Sequence, residues 1–288
     1  MKIMILGMGH VGRALGSILR ASGHKVVGTT TSPDKVEALQ EFADEVAVLK
    51  GEESDKVAAA ARGCDVIVVT VAPNVKNTRT PEERHAHYRA TLVESCASAA
   101  RCCSRPIFLS SFSVYGDGGI GSDAITEDTP TSNHEEPSSL YYQQAEQEIL
   151  SQTNGCVLRF PDMYGAPGDL SFPERVKLAH SYFGGKALFG ADALLYAIHF
   201  EDVVNAVEHT IDKGLTGVFN VCDNERIPAT NAQVFDAICA AEGLEKLDFL
   251  NQIKAPNRKI SAEKIYSSGY RVQHNDPNAA YLAQGQPA

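Results

Sequence analysis

The chain opens on a run in which every position is apolar. Ile3, Met4, Ile5 and Leu6 stand with no polar residue between them, as a strand does when both of its faces are covered in a parallel sheet. Leu15, Ile18 and Leu19 then recur at helical spacing. Further strands are predicted at 25–30 (KVVGTT), 46–49, 65–71 (DVIVVTV), 106–111 (PIFLSS) and 156–160, mostly apolar and several of them β-branched. Helices fall between them. Ser32-Pro33-Asp34 supplies a cap and a first-turn proline for a helix to about Phe42, and 56–61 is alanine-rich. Thr80-Pro81-Glu82-Glu83 opens a longer helix to about Ala100, and helix returns over 140–151. This alternation predicts an α/β fold with a doubly wound parallel sheet and right-handed crossovers.

After Arg159 the pattern changes. Residues 161–195 are rich in Gly, Pro and aromatics, 198–211 returns to strand and then helix, and 218–221 reads as a further strand. Thr230 to Glu242 is a helix with Val234, Phe235, Ile238 and Cys239 on one side. The expected division is a dinucleotide-binding domain over 1–160 and a smaller substrate lobe over 161–288, with 196–222 returning to the sheet. That lobe would cover the crevice outside the strand ends, where open α/β sheets take their ligands. The polar, glycine-rich passage 116–139 is too long for a plain connection and reads as a loop over a functional face. The tail from Asn275 is expected to fray.

Composition removes several classes of function. The 288 residues are 43% hydrophobic and 22% charged, and 26 Lys plus Arg against 36 Asp plus Glu leave a net charge of -10. That balance argues against nucleic acid or an anionic membrane as partner. No apolar run approaches the roughly 20 residues that cross a bilayer, and glycines interrupt residues 1–20 where a signal peptide would need an apolar stretch. The expected location is cytoplasmic. Seven cysteines, an odd number, fit reduced buried thiols. No C-x-x-C and no His/Cys cluster with zinc spacing is present, so no metal is expected. Asp202 reads as a helix N-cap, and His199 as a packed histidine.

Candidate chemistry begins between the first strand and first helix, where Gly7, Gly9 and Gly12 spell G-x-G-x-x-G. In the Rossmann-type reading one glycine permits the sharp turn and the next lets backbone amides approach a pyrophosphate, while Gly12 lets the helix lie on the strand. His10 and Val11, at the helix start, would offer their N–H groups to the phosphates. An acidic residue closing the second strand would hold an adenine ribose and repel a 2′-phosphate. Thr30, Thr31 and Ser32 stand there instead, with Lys35 a turn further on. Three hydroxyls and an ammonium favour NADP over NAD. Ala72 and Pro73, after the fourth strand, are expected to line the cofactor.

Four segments carry a resemblance to a known family. They are the glycine turn, SSFSVYGD (110–117), LRFPDMYGAPG (158–168), and IHFEDVVNAV (198–207) followed by GVFNVCDNERIPAT (217–230). Together they resemble the extended short-chain dehydrogenase/reductase superfamily, epimerase/dehydratase type. The resemblance implies hydride transfer between nicotinamide and a carbinol carbon, with a tyrosine moving the hydroxyl proton and a Ser or Thr bonding the same oxygen. The hydroxyl residue falls on Ser111. The tyrosine falls on Tyr141 or Tyr142, with Tyr141 favoured because Pro137-Ser138-Ser139-Leu140 resembles the usual approach. The family's lysine four residues later is missing: Ala145 follows Tyr141 and Glu146 follows Tyr142. Phe112 and Ser113 stand where the dehydratases carry Asp and Glu. Tyr196, Ala197 and Ile198 precede His199 where nucleotide-sugar enzymes carry an arginine, and Leu6 takes the first position of G-x-x-G-x-x-G. These departures place the chain nearer the atypical branch. The function implied is an NAD(P)-dependent oxidoreductase or epimerase-like enzyme acting on a hydroxyl or carbonyl carbon of a small molecule, such as a sugar derivative. The alternative is a cofactor-binding sensor or scaffold without chemistry. A homodimer through the helices at 81–100 and 140–151 is implied by the resemblance alone.

Overall fold

A computed structural model describes residues 1–133 and 136–284. Strand β1 (Lys2–Leu6) leads into helix α1 (His10–Ala21), β2 (Lys25–Thr30), the short α2 (Val36–Leu39) and β3 (Glu45–Val48). Then come α3 (Ser54–Ala60), β4 (Val66–Val69), α4 (Pro81–Tyr88), α5 (Ser95–Cys102) and β5 (Pro106–Ser111). Between α4 and α5 the chain stays helical with a π-type stretch over Arg89–Glu94. Helix α6 (Pro137–Leu150), β6 (Cys156–Phe160) and β7 (Asp162–Tyr164) follow. The remaining elements are α7 (Phe172–Phe183), β8 (Lys186–Phe189), β9 (Ala197–His199), α8 (Phe200–Lys213), β10 (Gly217–Asn220), α9 (Asn231–Glu242), β11 (Asp248–Ile253), α10 (Glu263–Ser267) and α11 (Ala279–Gln284).

Seven strands form one sheet in the order β10-β6-β5-β4-β1-β2-β3, every pairing parallel. The order reverses beside β1, and the glycine turn leaves the sheet at that switch point. Alternation along β1 explains the apolar run: Ile3 and Ile5 enter the core on one face, while Met4 and Leu6 enter the core on the other. Helices α1 and α8 pack together on the first face. Helices α3, α5 and α6 cover the second.

The C-terminal lobe has its own apolar centre, in which Phe172 and Val176 of α7 meet Val234 and Ile238 of α9 over the β8–β11 pair. The loop after β5 is anchored at Ile125, which is fully buried and bridges Ile260, donating to Lys259 O at 2.8 Å and accepting from Ser261 N at 2.8 Å. One expectation changes. The tail does not fray at Asn275, because Asn275 O accepts from Tyr164 Oη at 3.0 Å and α11 packs Tyr281 and Leu282 onto the lobe. His134 and Glu135 of the loop, and the end of the tail at 285–288, lie outside the described residues.

Candidate active site

The strands on either side hold the glycine turn. Gly7 N donates to Thr29 Oγ1 at 2.9 Å, and Thr70 Oγ1 donates to Gly7 O at 2.5 Å. Gly7 has φ +114°, a conformation that L side chains rarely adopt. A Cβ on Gly12 would fall 2.3 Å from Gly7 O, so the helix can lie this close to the turn only with glycine there. A Cβ on Gly9 would meet nothing within 4 Å. The space over Gly9 is therefore open, beside the first turn of α1, where His10 and Val11 carry N–H groups without intrahelical partners. No acidic residue occupies that turn.

The opening continues into a cavity of about 230 Å³ walled by Gly7, Gly9, Thr30, Thr31, Ser32 and Lys35, among others, with no carboxylate in the lining. A cradle without side chains beside a helix N-terminus fits a pyrophosphate, and the hydroxyls and ammonium fit the sugar end of a dinucleotide. Val71 also lines this cavity, whereas its neighbours Ala72 and Pro73 do not.

A second cavity, of about 240 Å³, lies where β5 and β6 end. Ser111, Ser113, Tyr142 and Pro161 line it from the sheet side, and Phe189 and Lys254 from the lobe. Ser111 Oγ accepts from Ser113 N at 3.1 Å. The Ser113 hydroxyl is buried and has no partner among the described residues, leaving it available to a polar ligand.

The structure brings Ser111 together with Tyr142 and turns Tyr141 elsewhere. Tyr141 Oη sits 3.2 Å from His85 Nδ1, and its ring stacks on Tyr88 with centroids 6.3 Å apart. Successive helical residues point about 100° apart, so only one of the pair can face the cavity. Tyr142 does so, its ring stacked on Phe108 at 5.9 Å. Burial pushes its phenol well above the ordinary value, and Tyr88 and Cys96 add to the shift. Tyr142 therefore holds its proton at neutral pH.

One turn beyond Tyr142, Glu146 occupies the position of the family's lysine and is almost fully buried. Arg159 grips it bidentately, Nε to Oε1 at 3.0 Å and Nη2 to Oε2 at 2.7 Å, and Ser110 Oγ donates to Oε1 at 2.5 Å. Arg159 Nη1 donates to Tyr115 Oη at 2.8 Å, and Tyr115 Oη donates to Asn220 Oδ1 at 2.7 Å. This polar chain ties α6, β5, β6 and β10 together. Within it the Glu146 and Arg159 charges are paired with each other.

Asp202 does not cap its helix. His199 is the N-cap residue, Nδ1 accepting from Glu201 N at 3.3 Å, while Asp202 is fully buried. Its carboxylate accepts from Gln273 N at 2.9 Å and His274 N at 3.1 Å, clamping the C-terminal segment to α8.

A parallel sheet with a glycine turn at its switch point and a hydroxyl-lined cavity at the strand ends defines a Rossmann-type protein of the short-chain dehydrogenase/reductase kind. The chain belongs to the NAD dependent epimerase/dehydratase family, whose profile matches residues 3–222. It is 28% identical over 286 residues to Protein YeeZ of Escherichia coli K12, covering 96% of this chain and 97% of that one. Among solved structures it is similar to the Bordetella bronchiseptica enzyme WbmG in complex with NAD (TM-score 0.75, 16% identity, 99% and 94% of the two chains). It is likewise similar to UDP-glucuronic acid 4-epimerase from Bacillus cereus, also with NAD bound (TM-score 0.74, 16% identity, 99% of each chain). Among the described residues no helix is long and apolar enough to cross a membrane.

Proposed function

We propose that the protein is an NAD(P)-dependent enzyme that reduces a carbonyl carbon of a compact small molecule, with Tyr142 as proton donor and Ser111 as the group that orients the substrate oxygen. The observation that carries this reading is the meeting of Ser111 and Tyr142 on one cavity wall, at the ends of β5 and β6. A bound nicotinamide supplies the hydride. Ser111 bonds the carbonyl oxygen, and Tyr142, held protonated by burial, gives its proton to the oxygen as negative charge develops there. Without a lysine beside it, Tyr142 is a poor base. The direction favoured is therefore reduction rather than alcohol oxidation.

Thr30 to Ser32 and Lys35, with no carboxylate in the lining, support NADP as the preferred cofactor. Tighter NADPH than NADH binding by calorimetry is the expected result, and the reverse order overturns the preference. The catalytic roles are tested by following NADPH absorbance against a panel of carbonyl compounds and sugars. Tyr142→Phe is expected to lower turnover at least 100-fold with cofactor affinity intact, and Tyr141→Phe to retain it. Unchanged turnover in Tyr142→Phe removes the assignment. The pairing of Glu146 with Arg159, where a lysine would serve the tyrosine, favours one second reading: a cofactor-binding sensor. Tight NADPH binding with no turnover across the panel would establish it.

A further inference from the structure

The carboxylate clamp at Asp202 leads to a cluster that sequence spacing hides. His199 ends β9, Glu201 lies in the first turn of α8, and His274 comes from the C-terminal segment, yet one potential ligand atom from each lies within 4.8 Å of the others. His274 Nε2 is 3.2 Å from Glu201 Oε2, and His199 Nδ1 is 3.9 Å from the same oxygen. The imidazole rings are stacked with centroids 3.8 Å apart. Two ligands on a tetrahedral zinc, at about 2.0–2.1 Å each, lie roughly 3.3 Å from one another. The observed spacings bracket that value.

A buried carboxylate backs one of the two imidazoles. Asp202, fully buried, lies 3.0 Å from His274 Nδ1. A carboxylate there accepts a hydrogen bond from Nδ1 and turns Nε2 toward Glu201, which is the arrangement that fixes a metal-binding histidine from behind. On His199, Nε2 is seated against the main chain, since a Cβ on Gly165 would fall 2.4 Å from it. Its Nδ1 is turned toward Glu201, and an ion bound there would displace the long hydrogen bond, 3.3 Å, that it accepts from Glu201 N. The positive end of α8 opposes a cation at this place. Glu201 and the buried Asp202 offset it with two negative charges.

We propose that His199, Glu201 and His274 form a binding site for a borderline divalent transition ion such as Zn²⁺, with Asp202 as the positioning carboxylate behind His274. Two imidazoles and one carboxylate suit such an ion and leave a coordination position open. Both imidazoles line a cavity of about 540 Å³ that also includes Tyr164, Arg226 and Asp276, so the open position faces a space able to admit water or a small anionic ligand. The ion would fasten the C-terminal segment to the start of α8. This inference is independent of the nicotinamide reading.

The test is calorimetric titration of the full-length, chelator-treated, reduced protein with ZnCl₂, alongside Glu201→Gln and His274→Gln, with circular dichroism to verify their folding. One Zn²⁺ per chain is expected, weakened at least tenfold in each variant, and an anomalous peak among the three side chains in Zn²⁺-soaked crystals. Absence of stoichiometric binding, or equal affinity in wild type and both variants as thiol binding would give, overturns the proposal. Glu201 is half exposed, so its variant keeps the comparison valid even if His274→Gln loosens the C-terminal segment.

Discussion

Two glycines a turn apart make opposite predictions. Gly9 has room for a Cβ and an ordinary φ of -73°, so Gly9→Ala is expected to leave the melting temperature unchanged. Its methyl group would project into the space assigned to the pyrophosphate, so dinucleotide affinity is expected to fall at least tenfold. Gly12→Ala drives a Cβ against Gly7 O at 2.3 Å, and moving the helix off the turn costs about 1–3 kcal/mol as well as binding. Calorimetry and thermal melts on the pair separate the two effects. Tyr142 carries a third expectation. Its folded pKa is raised above the ordinary phenol value of about 10, and proton donation needs the protonated form. The rate of reduction is therefore expected to show no alkaline loss assignable to this residue through pH 10. A limb below that pH that disappears in Tyr142→Phe would refute it.

At the scale of elements, α6 shows where sequence reading stops. Its sequence, PSSLYYQQAEQEIL, has no strong apolar stripe, so nothing local decides whether Tyr141 or Tyr142 faces β5. The choice is made by α4, which takes Tyr141 against His85 and Tyr88, and by Phe108, which takes Tyr142. The strands and the glycine turn, by contrast, were legible because each is specified by residues adjacent in the chain. The same helix buries Glu146 against Arg159 with both side chains at 5–6% exposure. Removing one partner leaves an uncompensated buried charge, so Glu146→Ala is expected to cost about 3–5 kcal/mol in urea denaturation. Glu146→Leu combined with Arg159→Met should recover most of it. A single-variant loss below about 1 kcal/mol, the range of exposed ion pairs, would show that water reaches the pair.

Across the whole molecule, the C-terminal third is not an appendage to the sheet. Asn220 Nδ2 at the end of β10 donates to Ser261 O at 3.0 Å, and Lys264 Nζ donates to Val218 O at 2.7 Å, so the segment after β11 covers the β10 edge. Tyr270 then enters the core shared by α1 and α8, with its hydroxyl donating to Asp202 O at 2.7 Å. None of this could be read from local pattern, since Asp202 and its partners at 273 and 274 are separated by 71 and 72 residues. A boundary drawn at residue 160 predicts two units that could melt apart; the returning segment predicts a single cooperative transition. Tyr270→Ala, which empties a buried aromatic site, is expected to cost about 3–5 kcal/mol and to shift far-ultraviolet and near-ultraviolet dichroism together. Tyr182→Ala, at a tyrosine 78% exposed on the lobe, should stay within about 0.5 kcal/mol of wild type. Separate transitions for sheet and lobe in Tyr270→Ala, with the sheet's transition unmoved, would mean that the C-terminal segment serves the lobe alone.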